Sequence, residues 1–195
     1  MKPVLMIHEF KEEFLDLPLE NYILTFDDGL FSQYYYYQKF KDIPTQKIFF
    51  ISSGIICSGS QNMGFPPCHV AHEKAFSGNF EDYMTLEQIK ELMKDPLVTI
   101  GAHSHAHKNL NDFGKVTHRA MHVIEDTKTM MIWFKENLNF KPTAFCYPYN
   151  NDNNGLYDPV LRSVGFTDFY GKERIAIENV PSLCDSKHVH ENSTV

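Results

Sequence analysis

An α/β fold on parallel strands, forming one domain through all 195 residues, is what this sequence predicts. Three observations carry that expectation. Short apolar runs alternate with amphipathic runs along the chain, the pattern of strands joined by crossover helices. The apolar runs are brief, often β-branched or aromatic, and bounded by turn residues, as buried strands are. Residues able to do chemistry follow directly behind these runs, at the carboxyl ends where parallel α/β folds build their sites.

The elements can be justified in order. Val4–Ile7, Tyr22–Phe26, Lys47–Ser52, Leu97–Gly101 and Thr143–Cys146 read as strands. Leu30–Phe40 is an aromatic-rich helix that must stop before Pro44. Leu86–Met93 has apolar residues at 86, 89, 92 and 93, behind a Thr85/Gln88 capping box. Val116, Ala120, Val123, Thr127, Met131, Phe134 and Leu138 step by three and four along one long amphipathic helix. Leu156–Val164 predicts a further helix, held to a late start by Pro159. Residues 53–80, rich in Gly, Pro, Ser and Asn, read as an irregular insertion over the substrate side. Residues 178–195 form a tail without usable periodicity.

Composition narrows the function classes. A net charge of −7 argues against nucleic acid or an anionic membrane as the main partner. No window has the apolar length of a membrane span, and no signal-peptide pattern opens the sequence, so a cytoplasmic protein is expected. Cys57, Cys68, Cys146 and Cys184 lie at irregular spacings without a CxxC pair. That favours reduced thiols over a Cys57–Cys68 disulfide.

Two motifs carry the chemistry. Thr25-Phe26-Asp27-Asp28-Gly29 ends one apolar run, and His103-Ser104-His105-Ala106-His107 ends another. Asp-Asp-Gly alone reads as a turn. Beside a His-x-x-x-His pair it reads as a hydrolytic metal site, with Asp28, His103 and His107 as ligands and Asp27 free to act on water. Zinc is the expected ion, with cobalt, nickel and iron as alternatives. Such an ion lowers the pKa of its water from about 16 to about 7 and polarises a carbonyl. Amide hydrolysis also needs a proton for the departing amine, from a histidine on the opposite side. His8 and Tyr147-Pro148-Tyr149 also follow strands, so four polar segments point to one rim.

At these residues the chain resembles the polysaccharide deacetylase family, the NodB-homology or carbohydrate esterase family four group, from Tyr22 to about Tyr170. The resemblance implies a distorted, compact (β/α) barrel, incomplete at this length. It makes Asp27 the general base and Asp28, His103 and His107 the metal ligands. The family's third motif, R-x-P-Y, reads Cys146-Tyr147-Pro148-Tyr149 here. The arginine that would orient the catalytic carboxylate is thus replaced by Cys146, and Asn150 stands where close relatives have glycine. The resemblance implies that the backbone N–H near Tyr149 helps hold the oxyanion. Val4-Leu5-Met6-Ile7-His8 is similar to a permuted N-terminal form of the general-acid motif, which makes His8 the acid, ahead of His188 or His190.

The function implied is metal-dependent removal of an N-acetyl group from an amino sugar. The expected substrate is a nucleotide- or lipid-linked precursor in surface-polysaccharide biosynthesis. Two rivals stand: a deformylase or other amidohydrolase on an amino sugar, and an inactive saccharide-binding relative. Other clusters read more plainly. Tyr34–Tyr37 point in four directions on a helix, which makes packing a better reading than a sugar platform. Cys57, Cys68, His69 and His72 fit no standard ligand spacing for a second metal site. His118 and His122 read as a solvated helix face.

Overall fold

The computed structural model describes residues 2–181. Among these residues seven parallel strands form one sheet: β1 (Val4–Ile7), β2 (Ile23–Phe26), β3 (Lys47–Ile51), β4 (Val98–Ala102), β5 (Ala144–Cys146), β6 (Asp168–Tyr170) and β7 (Ile175–Ala176). Their spatial order is β6-β5-β4-β3-β2-β1-β7. The edge strands β6 and β7 are therefore consecutive in sequence, joined by only Gly171–Arg174. Such a link spans at most about 18 Å. The edges of a flat seven-stranded sheet would stand about 29 Å apart. The sheet is therefore curled into a half-barrel, the compact and incomplete (β/α) barrel that the sequence leads one to expect.

Among the described residues five α-helices complete the fold: α1 (Phe31–Phe40), α2 (Cys68–Phe76), α3 (Leu86–Leu92), α4 (Val116–Leu138) and α5 (Asp158–Ser163). Strand alternation divides the apolar residues between two layers. Phe26, Phe49 and Ile51 join the large core beneath the helices, with Phe40, Leu92, Val123 and Phe134. Ile48, Phe50, Ala144 and Cys146 form a smaller cluster of their own. Gly101 makes room for Phe50, since a Cβ there would fall 2.5 Å from the Phe50 ring. The long helix α4 follows the predicted stepping and ends at Asn139, in left-handed conformation (φ 47°). The Thr85/Gln88 capping box forms with both reciprocal bonds.

One expectation needs correction, and two further features leave no periodic trace. Residues 53–80 are not wholly irregular, because α2 lies within them behind Pro67. Ala71 and Ala75 of that helix pack with Leu30, Ile55 and Tyr83 into a separate small core. Their sparse apolar pattern on a nine-residue helix escapes a periodicity test. Strands β6 and β7, three and two residues long, are likewise too short to show alternation. Finally, Val180, within the 178–195 segment, is buried beside Ile177 in the large core. The tail histidines His188 and His190, and Cys184, lie outside the described residues.

Candidate active site

Parallel register sets the rim. Ile7 pairs with Phe26, so His8 and Asp27 leave the sheet at one level. Ala102 pairs with Phe145, which brings His103 level with Cys146. The ladder continues one residue past the strands, with Asp27 N–H donating to Ile7 O and His103 N–H to Ile51 O, each at 2.9 Å. The Gln33 side-chain amide donates to the carbonyls of Asp27 (2.6 Å) and His8 (2.7 Å), locking the two loops together. Asp28, Ser104, His107, Tyr149 and Asn150 all have positive φ. Backbone strain is thus gathered where the chemistry would be.

The loop after β4 shows why its residue types are needed. The His107 N–H donates to Ser104 Oγ at 2.9 Å. Asp126, from α4, accepts the N–H groups of His105 and Ala106 at 2.8 Å each. The His105 ring turns to Ser53 Oγ, 2.9 Å away, leaving the outer two histidines together.

Asp28 Oδ1 lies 3.1 Å from His103 Nε2, 3.1 Å from His107 Nε2 and 3.5 Å from His72 Nε2. The two nitrogens of His103 and His107 are 3.2 Å apart. Yet Asp28 Oδ1 and His72 Nε2 are buried without a hydrogen-bond partner among the described residues. An unmet buried polar atom costs about 1–3 kcal/mol, so such an arrangement calls for a further group between the atoms. A divalent cation fits this nitrogen and oxygen donor set. His103 Nδ1 lies 2.8 Å from the Cys146 carbonyl, which only accepts. Nδ1 must therefore carry the proton, leaving Nε2 free as a donor to a metal. Burial outweighs the neighbouring Asp28 carboxylate and pushes His107 down to about 4, towards the neutral ring a ligand needs, whereas at His103 burial is outweighed by Cys146 and Asp28, which push it up.

Asp27 is 1% exposed and gripped by Arg174 through two 2.7 Å contacts, Nη1 to Oδ1 and Nη2 to Oδ2. Burial alone would raise its pKa; the Arg174 charge and hydrogen bonds outweigh it and hold the carboxyl below the usual carboxylate range. Arg174 also donates to Thr25 Oγ1 (2.9 Å) and Asn150 Oδ1 (2.6 Å), and lies 3.1 Å from Cys146 Sγ. It thus reaches from the β6–β7 link to Asp27 across Cys146, the position where the family motif has arginine. His8 Nε2 stands 3.9 Å from Asp27 Oδ2, beside the base rather than across from it. His8, Asp27, Asp28 and Tyr149 line one cavity of about 430 Å³ with His72, His103 and His107. The Tyr149 ring centroid is 5.0 Å from that of His107.

Sequence reasoning leaves three residues of this site unplaced. Arg174 sits beyond the last readable pattern, in a link that means nothing until the sheet curls. Cys68 and His72 were weighed only as part of a separate site with Cys57 and His69. Cys68 Sγ instead donates to Asp28 Oδ2 at 3.1 Å, while Cys57 faces Gly59 O. The i, i+4 spacing of Cys68 and His72 on one helix was the available signal. Cys57, Cys68 and Cys146 are all free thiols. His122 stacks on Phe113 at 4.4 Å. The α1 tyrosines divide between buried Tyr37, half-buried Tyr34 and Tyr36, and exposed Tyr35.

Comparisons with known proteins agree with this architecture. IcaB from Ammonifex degensii is 22% identical, with a TM-score of 0.63 over 92% of this chain and 86% of that one. A de-N-acetylase from Aggregatibacter actinomycetemcomitans is 15% identical, with a TM-score of 0.62 over 90% and 93%. The BpsB deacetylase domain from Bordetella bronchiseptica is 15% identical, with a TM-score of 0.58 over 90% and 94%. At these identities the likeness is one of fold. No curated protein matches the chain significantly. The family model described as polysaccharide deacetylase matches residues 17–168. The chain accordingly belongs to the polysaccharide deacetylase family.

Proposed function

We propose that this protein is a metal-dependent hydrolase that removes the N-acetyl group from an amino sugar. One observation carries the reading: a ring of imidazole nitrogens around the orphaned Asp28 Oδ1, next to a carboxylate held ionised by Arg174. A divalent cation, zinc for this donor set, bound by Asp28, His103 and His107 would polarise the acetyl carbonyl and acidify water.

The chain's own residues account for the remaining steps. Asp27 takes the proton from the attacking water, its carboxylate kept in place and ionised by the Arg174 fork. The backbone N–H near Tyr149 would hold the oxygen that gains charge. His8 delivers a proton to the nitrogen as the C–N bond breaks, releasing acetate and a free amine. Arg174 supplies the grip on the base that Cys146 cannot, which favours an active enzyme over an inactive saccharide binder.

The substrate form in this proposal is a nucleotide- or lipid-linked sugar used in surface-polysaccharide biosynthesis, handled in the cytoplasm. The free thiols of Cys57, Cys68 and Cys146 support a reducing compartment. No helix among the described residues is long and apolar enough to cross a membrane. A screen for acetate release over nucleotide-linked, lipid-linked and polymeric N-acetylated sugars tests the reading. Mass spectrometry of the liberated acid separates acetyl from formyl removal; formate would replace this reading with a deformylase.

A further inference from the structure

We propose that His72 is a fourth protein ligand of the cation, delivered by α2, and that the Cys68 thiol one turn earlier fixes which Asp28 oxygen faces the ion. The inference rests on the metal-centre reading above and deepens it. Asp28, His72 and His107 offer ligand atoms that all lie within 4.8 Å of one another. His72 Nε2 is buried without a hydrogen-bond partner and is 3.5 Å from Asp28 Oδ1. Its ring stacks on His107 with centroids 4.3 Å apart and planes 12° apart, so both rings approach the same carboxylate oxygen.

The surroundings hold His72 in that position. Glu9 Oε2 accepts the Cys68 N–H at the start of α2 (3.1 Å). Lys74 pairs with Glu81 (2.9 Å) and Asp82 (3.1 Å) near the other end. Ala71 is fully buried in the small core between them. With both ends and the middle of α2 anchored, the His72 imidazole is presented as a fixed donor. Cys68 Sγ donates to Asp28 Oδ2 at 3.1 Å and lies 3.3 Å from His72 Nδ1. The thiol thus occupies Oδ2 and leaves Oδ1 for the ion, an outer contact of the kind that orients metal ligands. A zinc ion held by these four donors would still accept water as a fifth ligand, since zinc expands to five-coordination during catalysis.

Metal affinity, read by zinc competition against a chromophoric chelator, tests this on chelator-stripped wild type, His72→Ala and His107→Ala. Each variant is expected to bind at least about tenfold more weakly than wild type. Weakened binding in His107→Ala with wild-type affinity in His72→Ala would overturn the inference and leave the three-ligand reading standing. Unchanged affinity in both would remove the metal centre itself. Hydrogen exchange of the wild-type chain guards against a misfolded variant: zinc should slow exchange across Cys68–Phe76, and identical rates with and without zinc would count against the inference. Cobalt-loaded wild type should lack a sulfur-to-metal charge-transfer band; its presence would put a thiolate of Cys68 or Cys146 on the ion and overturn the proposed ligand set.

Discussion

Arg174 and Asp27 lie 147 residues apart in sequence and meet through paired 2.7 Å contacts inside the curled sheet. The link Gly171–Arg174 joins the two sheet edges, and its last residue becomes the clamp on the base. The fold's incompleteness and its chemistry therefore share one short segment.

Replacing Arg174 tests this clamp through pH. Asp27 would lose the charge that opposes burial, and its pKa would rise. The acid limb of kcat/KM in Arg174→Met should therefore move to higher pH, with a lower plateau. Arg174→Lys, which keeps charge but not the fork, should shift the limb back in part. An acid limb at its wild-type position in both variants would remove Arg174 as a positioning residue.

The same pair predicts a stability profile. Asp27 has a folded pKa below its unfolded value, so its stabilisation is complete above the ordinary carboxylate pKa and fades as pH falls through the lowered one. Arg174→Met leaves a buried charge unpaired and should cost about 3–5 kcal/mol at neutral pH. Urea unfolding of both proteins across pH measures the difference, which should shrink on acidification.

Asp27→Asn should bind zinc as wild type does while losing about 10²- to 10⁴-fold in turnover. Metal analysis paired with acetate release on the same sample checks both halves. Normal turnover would take the role of base away from Asp27.

His8→Ala should cost about 10²- to 10⁴-fold in kcat with little change in zinc content. His8 is one-third exposed and 3.9 Å from Asp27, close enough to share the pocket without being locked to the base. An unchanged rate would move the acid to His188 or His190.

Gly101→Ala should destabilise the chain by about 1–3 kcal/mol, because the new Cβ overlaps the Phe50 ring at 2.5 Å. Chemical denaturation measures it; a neutral result would mean that Phe50 has another rotamer open to it.

Much of the site was readable because each motif is continuous and follows a strand of four or five residues. Asp27, Asp28, His103 and His107 needed only the rule that sites form at the carboxyl ends of parallel strands. Arg174 was not readable, since its meaning comes from curvature, and a two-residue strand such as Ile175–Ala176 leaves no periodic trace. His72 stands in sequence beside Cys57, Cys68 and His69, a set that fits no standard ligand spacing, whereas the fold places it against Asp28 and His107. Sequence spacing shows that Cys68 and His72 share a helix face; only packing on Leu30, Ile55 and Tyr83 shows which oxygen that face meets. The helix itself hid among Gly, Pro and Ser residues that dominate the segment around it.

Acetate release from N-acetylated amino sugars, followed before chelation, after chelation and after zinc is restored, tests the central claim most directly. The account predicts turnover that vanishes with the metal and returns at one zinc per chain, with Asp27→Asn inert throughout. Full turnover by a metal-free protein, or none from a zinc-loaded one on any such sugar, would contradict it.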